Sequence, residues 1–214
     1  MIKAIIFDMD GVIINSEATW IKVVEDVFAG YGYEYTKEFH KKIFGSNAAR
    51  VMKQNLDIKD NEAEIGKKII ERFIYLIRNE GVKEIPGIYQ LLDMAKKNFV
   101  LAIASSTPKN GIELILDTLG IKDYFSVIVS GYDVKNPKPH PDIYLAAAEK
   151  LKLKPEECIA IEDSPNGIKS AKRADMKCIA LKNKYADEKE LKKSGADMLV
   201  SNLDEITEKL LKEL

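Results

Sequence analysis

Residues 2–12 read Ile2-Lys3-Ala4-Ile5-Ile6-Phe7-Asp8-Met9-Asp10-Gly11-Val12. The run to Phe7, with Ala4, Ile5 and Ile6 at its centre, has the length and apolar character of a buried strand, and it stops abruptly at two acids and a glycine. Side chains of an extended chain alternate in direction. Asp8 and Asp10 are therefore expected on the same side of the strand end, with Gly11 letting the backbone turn away. Two carboxylates in one small space repel each other unless a proton or a cation lies between them. The pair points to a metal-assisted site with one acid as nucleophile and the other as proton carrier. Asp and Gly are also ordinary turn residues, so a capped turn after a strand accounts for the same stretch taken alone.

Outward from Gly11, the short run Val12 to Ile14 leads to Asn15-Ser16-Glu17, where Ser16 has the chemistry of a helix N-cap. Helical periodicity follows through Trp20, Val23, Val24, Val27 and Phe28 until Gly30 and Gly32. Further helices are predicted over Thr36 to Ile43, Asn47 to Leu56 and Asn61 to Arg78, with no strand between them. Residues 16–82 thus read as an all-helical cap inserted after the first strand. Residues 1–15 and 83–214 then form one α/β core. In that core, apolar runs at Val100 to Ala104, Ser126 to Val129, Cys158 to Ile161, Cys178 to Leu181 and Met198 to Val200 alternate with helical stretches. This is the pattern of a Rossmann-like parallel sheet covered on both faces.

Ligands of such a sheet gather at the carboxyl ends of its strands, so the residues after each run carry the chemistry. Ser105-Ser106-Thr107-Pro108 follows the second run. Thr107 can cap a helix that Pro108 starts, leaving amides and hydroxyls for an anion, and the same residues also make a plain helix cap. Asn136-Pro137-Lys138-Pro139-His140-Pro141-Asp142 follows the third. Its prolines are expected to hold an extended, stiff segment and so fix the charge of Lys138, although a proline-rich loop with a solvated lysine reads the same way. His140 reads as a loop or helix-start residue. Glu162-Asp163-Ser164-Pro165 follows the fourth, two acids before a helix N-terminus, a donor set suited to Mg²⁺ or simply an acidic helix start. Asp187 to Leu214 carries no reactive constellation.

Composition narrows the alternatives. The chain has 214 residues, 46% hydrophobic, with 33 basic against 34 acidic residues and a net charge of -1. Nothing in that balance favours a nucleic acid or a membrane surface, and it leaves a small charged metabolite open as partner; the chain is expected to be a monomer. Arginine occurs only at Arg50, Arg72, Arg78 and Arg173, so lysine must supply most anion recognition. Cys158 and Cys178 sit among apolar neighbours and read as core side chains of a protein in the reducing cytoplasm. No run of about 18 apolar residues is present.

Taken together, the four strand-end motifs resemble the haloacid dehalogenase-like hydrolase superfamily, in its helical-cap branch of small phosphatases and beta-phosphoglucomutases. The resemblance covers essentially the whole chain and rests on Asp8-Met9-Asp10-Gly11-Val12, Ser105, Lys138 within Lys-Pro-His-Pro-Asp, and Glu162-Asp163-Ser164. It implies that Asp8 attacks phosphorus to form an aspartyl-phosphate, and that Asp10 protonates the leaving oxygen and later deprotonates water. It further implies Mg²⁺ on the Asp8 side chain, the Asp10 carbonyl and Asp163, with Glu162 direct or through water. Ser105 and Lys138 would hold the phosphoryl oxygens. The second acid separates the chain from the family's true dehalogenases, which lack it.

Asn15 and Pro137 depart from the family pattern, where an Asp and a Gly are usual. Trp20 and Ala48, the latter after an expected turn at Gly45, stand where the mutases carry a cap histidine and arginine. Arg50 is either a substitute phosphate anchor or a solvated surface residue. The expected activity is hydrolysis of a small phosphomonoester. The alternatives are a beta-phosphoglucomutase-type phosphotransferase and a non-catalytic binding module on the same scaffold, the latter disfavoured by the intact acids, Ser105 and Lys138.

Overall fold

The computed structural model describes residues 1–43, 48–184 and 186–214. In chain order, β1 (Ala4–Phe7) is followed by the helices α1 (Glu17–Gly30), α2 (Lys37–Ile43), α3 (Ala48–Asn55) and α4 (Glu62–Glu80). Then come α5 (Ile88–Ala95), β2 (Val100–Ser105), α6 (Lys109–Leu119), β3 (Val127–Ser130), α7 (Asp142–Leu151), β4 (Cys158–Glu162) and α8 (Pro165–Arg173). The chain closes with β5 (Lys177–Leu181), α9 (Glu188–Lys193), β6 (Met198–Val200) and α10 (Glu208–Glu213). By compactness the chain forms two units, Met1–Asn15 with Lys83–Leu214, and Ser16–Val82.

The first unit is an α/β core. Its described strands form one parallel sheet in the order β3-β2-β1-β4-β5-β6. All four residues of β1 are buried, which requires cover on both faces. The faces differ in side-chain size. Register places Ala4 beside Cys158, and Ile6 beside Ala102 and Ala160. This small-residue face packs with Ala104, Cys178, Ala180 and the buried sides of α7 and α8, including Ala147, Ala148 and Ala171. The other face carries Ile5, Phe7, Ile103 and Ile161, and Phe7 meets Phe125 edge to face with centroids 5.9 Å apart. Each fully buried aliphatic side chain contributes about 1.5–3 kcal/mol relative to exposure. Cys158 and Cys178 are free, buried core residues. No helix among the described residues is long and apolar enough to cross a membrane.

The strand order has a direct consequence for ligand binding. From β1 the chain steps outward through β2 and β3, then returns to the other side of β1 for β4, β5 and β6. The crevice of such a sheet lies where the order reverses, at the carboxyl ends of β1 and β4. Asp8 follows β1, and Glu162 and Asp163 close and follow β4.

The second unit is helical. In α1, Val23, Val24, Val27 and Phe28 are buried, and α4 buries Ile65, Ile69, Phe73, Leu76 and Ile77 at helical spacing. Asn61 and Glu64 form a reciprocal capping box at the start of α4, and Gly81 ends it. Trp20 stacks on Phe73, centroids 4.2 Å apart and planes within 10°, so cap-core packing is one role it plays. Arg50 is exposed and pairs with Glu62 at 3.2 Å, as a solvated surface arginine does. The expected turn at Gly45 and helix start at Asn47 lie outside the described residues.

Several local expectations are corrected. β1 begins at Ala4 rather than Ile2, although the Lys3 amide and carbonyl still bond to Glu157 and Val100 just before it. β3 runs one residue later than expected because Ser130 pairs in register with Ser105. Ser16 stands at the N-cap of α1, but its backbone is already in the helical region and its side chain makes no capping hydrogen bond. The proline segment is a turn instead of an extended stretch. The His140 amide donates to the Pro137 carbonyl at 2.9 Å, and Ser170 and Arg173 hold the carbonyls of His140 and Pro139.

Candidate active site

Asp8 leaves the end of β1 with its amide donating to the Ile161 carbonyl at 2.9 Å, which ties it to β4. Met9 is fully buried beneath the turn, and its carbonyl accepts from the amides of Val12, Ile13 and Ile14. Gly11 has φ +79, and a Cβ built on it would lie 1.8 Å from Asp163 Oδ2. A side chain there would be strained in its backbone and would also displace a site carboxylate. Gly11 is thus required by the approach of two strand ends as well as by the turn.

Lys138 comes into the same space from the turn before α7. Its Nζ lies 2.7 Å from Asp8 Oδ1 and 2.6 Å from Glu162 Oε1, and donates to the Ala104 carbonyl at 3.0 Å. Pro137 therefore does not pull the lysine out of the site. Glu162 is fully buried and fully engaged. Oε1 accepts from Lys138 and from the Tyr144 hydroxyl at 2.8 Å. Oε2 accepts from the Asp163 and Ser164 amides and the Ser164 hydroxyl at 3.2, 3.4 and 3.1 Å. A Cβ on Gly167 would meet this carboxylate at 1.9 Å, so α8 approaches Glu162 as closely as it does because that residue is glycine. Ser164 also caps α8 by accepting from the Gly167 amide at 3.0 Å.

The serine–threonine segment after β2 divides its work. Ser105 is buried, and its Oγ accepts the Thr107 amide at 3.0 Å. Thr107 is not the cap of α6, since Pro108 occupies that position. Its hydroxyl donates to Asp10 Oδ2 at 2.8 Å, and its carbonyl is held by Ser130 Oγ at 2.8 Å. In this arrangement the Thr107 hydroxyl is given to the Asp10 carboxylate. Ser106 is exposed on the same loop, where Gly131 passes close to its Cα.

Carboxylate oxygens of Asp8, Glu162 and Asp163 all lie within 4.8 Å of one another. Burial, then the charges of Glu162 and Asp10, push Asp8 up to about 8, although Lys138 acts against them. Asp163 is also raised well above the ordinary carboxylate range, by burial and by the charges of Asp8, Glu162 and Asp10. Burial disfavours the Lys138 ammonium, but Asp8 and Glu162 more than offset it and hold the group above the ordinary lysine value. Burial raises Tyr144 as well, so its hydroxyl stays a donor to Glu162. Lys138 leaves this group of acids under-neutralised. Closely spaced hard oxygen donors short of positive charge fit a divalent cation such as Mg²⁺.

Sequence reading did not single out Tyr144, Ser130, Gly167 or Asn183. Asn183 lies just beyond β5, and its Nδ2 donates to both the carbonyl and Oδ2 of Asp163, at 2.8 and 3.0 Å. Inspection of the carboxyl end of β5, as of the earlier strands, would have reached it. Tyr144 carries no such signal, since a tyrosine on the apolar face of a helix reads as core.

Over residues 5–181 the chain matches the family model described as haloacid dehalogenase-like hydrolase. It is 36% identical over 203 residues to the phosphorylated carbohydrates phosphatase of Thermotoga maritima, covering 92% of this chain and 94% of that protein. Hexitol phosphatase B of Escherichia coli is 30% identical over 217 residues, covering 97% of this chain and 96% of its own length. Among solved structures, CbbY from Rhodobacter sphaeroides in complex with phosphate is similar with a TM-score of 0.90 at 29% identity, covering 99% of this chain and 100% of that one. A match of this extent, on a sheet whose strand ends carry the motifs at Asp8, Ser105, Lys138 and Glu162, makes the chain a member of the haloacid dehalogenase-like hydrolases.

Proposed function

We propose that the protein is a Mg²⁺-dependent phosphatase that hydrolyses a small phosphomonoester, a sugar phosphate or related metabolite, through an aspartyl-phosphate on Asp8. One observation carries the reading. Lys138 bridges Asp8 and Glu162 at 2.7 and 2.6 Å beside Asp163, which gathers nucleophile, fixed positive charge and an acidic cation site at the switch point of the sheet. The sugar-phosphate class is supported by relatives named for phosphorylated carbohydrates and hexitols.

In the first step a carboxylate oxygen of Asp8 bonds to phosphorus while the ester P–O bond breaks, and Asp10 gives its proton to the leaving oxygen. Water then adds to the phosphorus as Asp10 takes a proton from it, and the bond to Asp8 breaks to release phosphate. Thr107 holds the Asp10 carboxylate by its hydrogen bond to Oδ2. Ser105, whose Oγ accepts the Thr107 amide, keeps its own hydrogen to donate to a phosphoryl oxygen. Lys138 has its charge held by Glu162 and stands against the equatorial oxygens as they gain charge. Asp8 and Asp163 would hold Mg²⁺ with Glu162 in the same acid set, and the ion would supply charge neutralisation and orientation for the phosphoryl group. Selection of the leaving group is assigned to the helical unit Ser16–Val82, the cap expected from the sequence.

The test is phosphate release from a generic aryl phosphate and from a panel of sugar phosphates, with and without Mg²⁺. Release is expected only with the metal. Asp8→Asn should abolish it while leaving the fold intact, because an amide oxygen cannot serve as the nucleophile. Near-native activity of Asp8→Asn would overturn the mechanism. Isomerisation of beta-glucose 1-phosphate without phosphate release would replace the phosphatase with the mutase.

A further inference from the structure

Asp163 is held from the end of β5, outside the motifs. Both hydrogens of the Asn183 amide are spent on this one residue, on its carbonyl at 2.8 Å and on its Oδ2 at 3.0 Å. The amide oxygen of Asn183 accepts the Ala186 amide at 2.8 Å, so the donor is itself held by the loop beyond β5. The turn at Gly11 comes close to the same oxygen, leaving no room for a Cβ beside Oδ2. One segment holds this carboxylate oxygen by hydrogen bonding, and the glycine of another leaves it the room it occupies. The surroundings give such a grip its function. Asp163 shares its space with Asp8 and Glu162, one oxygen of each lying within 4.8 Å of the others, so its orientation decides whether the three can meet one ion. A neutral two-point donor fixes the carboxyl in the inward rotamer without adding a counter-charge that would compete with a cation.

We infer that Asn183 is a positioning residue for the divalent cation, acting through Asp163. The inference rests on the metal reading proposed above and goes beyond it, because it places in the machinery a residue of a strand end that carries none of the family motifs. Partners that orient metal-binding carboxylates typically change metal affinity about 10–100-fold when removed. Asn183→Ser isolates this role. A serine hydroxyl can still accept from the amide three residues on, as asparagine does here, but it cannot reach Asp163 with two donors.

The experiment is direct titration of the full-length metal-free chain with Mn²⁺ followed by electron paramagnetic resonance, and with Mg²⁺ by calorimetry, for the wild type, Asn183→Ser and Asn183→Ala. Both variants should bind each ion roughly tenfold or more weakly. Their metal-free melting temperatures should stay near wild type, and the Mg²⁺ concentration that gives half-maximal phosphate release should rise by a similar factor. Unchanged ion affinity in the variants would overturn the inference alone and leave the metal reading standing. Metal-free melting temperatures that drop in both variants would make Asn183 structural and overturn it as well. A wild-type chain that binds neither ion would overturn the metal reading, and this inference with it.

Discussion

In the sheet unit, Lys138 meets Asp8 and Glu162 through side chains that are 8%, 10% and 0% exposed. In the helical unit, Arg50 and Glu62 pair at 62% and 42% exposure, and Lys22 and Glu80 at 46% and 53%. Distances are similar in both places, and solvent sets the difference. Water around an exposed pair screens the attraction and hydrates either partner when the other is lost, so such pairs contribute about 0–1 kcal/mol. Around Lys138 little solvent reaches the charges to replace a missing partner, and removing one strands the others. The helical unit spends its charges on solubility and marginal helix support. The strand ends concentrate theirs where the burial cost is tolerated for chemistry.

The difference between the regions is sharpest at Lys138. Lys138→Met keeps much of the side chain's length but removes the ammonium from Asp8 and Glu162. Loss of a fixed donor to the phosphoryl oxygens should lower turnover by roughly 100- to 1000-fold. Breaking a buried ion pair should cost about 3–5 kcal/mol of stability, read by urea unfolding at neutral pH without metal. A stability change no larger than that of an exposed arginine substitution would erase the distinction between the two regions.

A pH series separates the regions by sign. Asp8, held at about 8, and Asp163, raised well above the ordinary range, keep protons in the folded state that the unfolded chain has already lost above about pH 4. The native state binds more protons over that window, so stability of the metal-free protein falls as pH rises from about 4 toward 8. Lys138, raised above its ordinary value, contributes a stability that is complete below the unfolded lysine pKa and lost only as pH climbs through the folded one. It adds no slope in this window. Asp8→Asn should therefore gain melting temperature over wild type at about pH 8 but little at about pH 5, each kcal/mol being worth roughly 2–4 °C in a chain of this size. Mg²⁺ should shrink the difference by compensating the ionised acids. An equal gain at both pH values would mean that Asp8 is not held protonated.

The smallest effect belongs to the helical surface. Arg50→Gln should shift the melting temperature by less than about 2 °C, because the pair it loses with Glu62 is exposed. If the same variant left phosphate release from an aryl ester unchanged but raised KM for sugar phosphates more than tenfold, Arg50 would be a substrate anchor, and charge in the helical unit would serve chemistry as well as solubility.

What the sequence by itself determined is local in origin. The apolar run before Asp8, the periodicity of the helical unit and the acids after β4 are encoded by neighbours a few residues apart, and the turn at Gly11 comes from two closely spaced acids and a glycine. Their placement in the chain was legible for that reason. The one-residue difference at Ser126 arose where a pairing partner set the boundary. The tertiary structure alone decided how the groups are bonded. Lys138 reaches Asp8 across 130 residues and Glu162 across 24, and Thr107 reaches Asp10 across 97. Nothing within a short window specifies such pairings, because they depend on which strands become neighbours once the faces of the whole sheet are buried. Pattern and turn chemistry therefore named the acids and the lysine. The order β3-β2-β1-β4-β5-β6 set Thr107 on Asp10 and Tyr144 on Glu162, and it brought Asn183 from the end of β5 to hold Asp163.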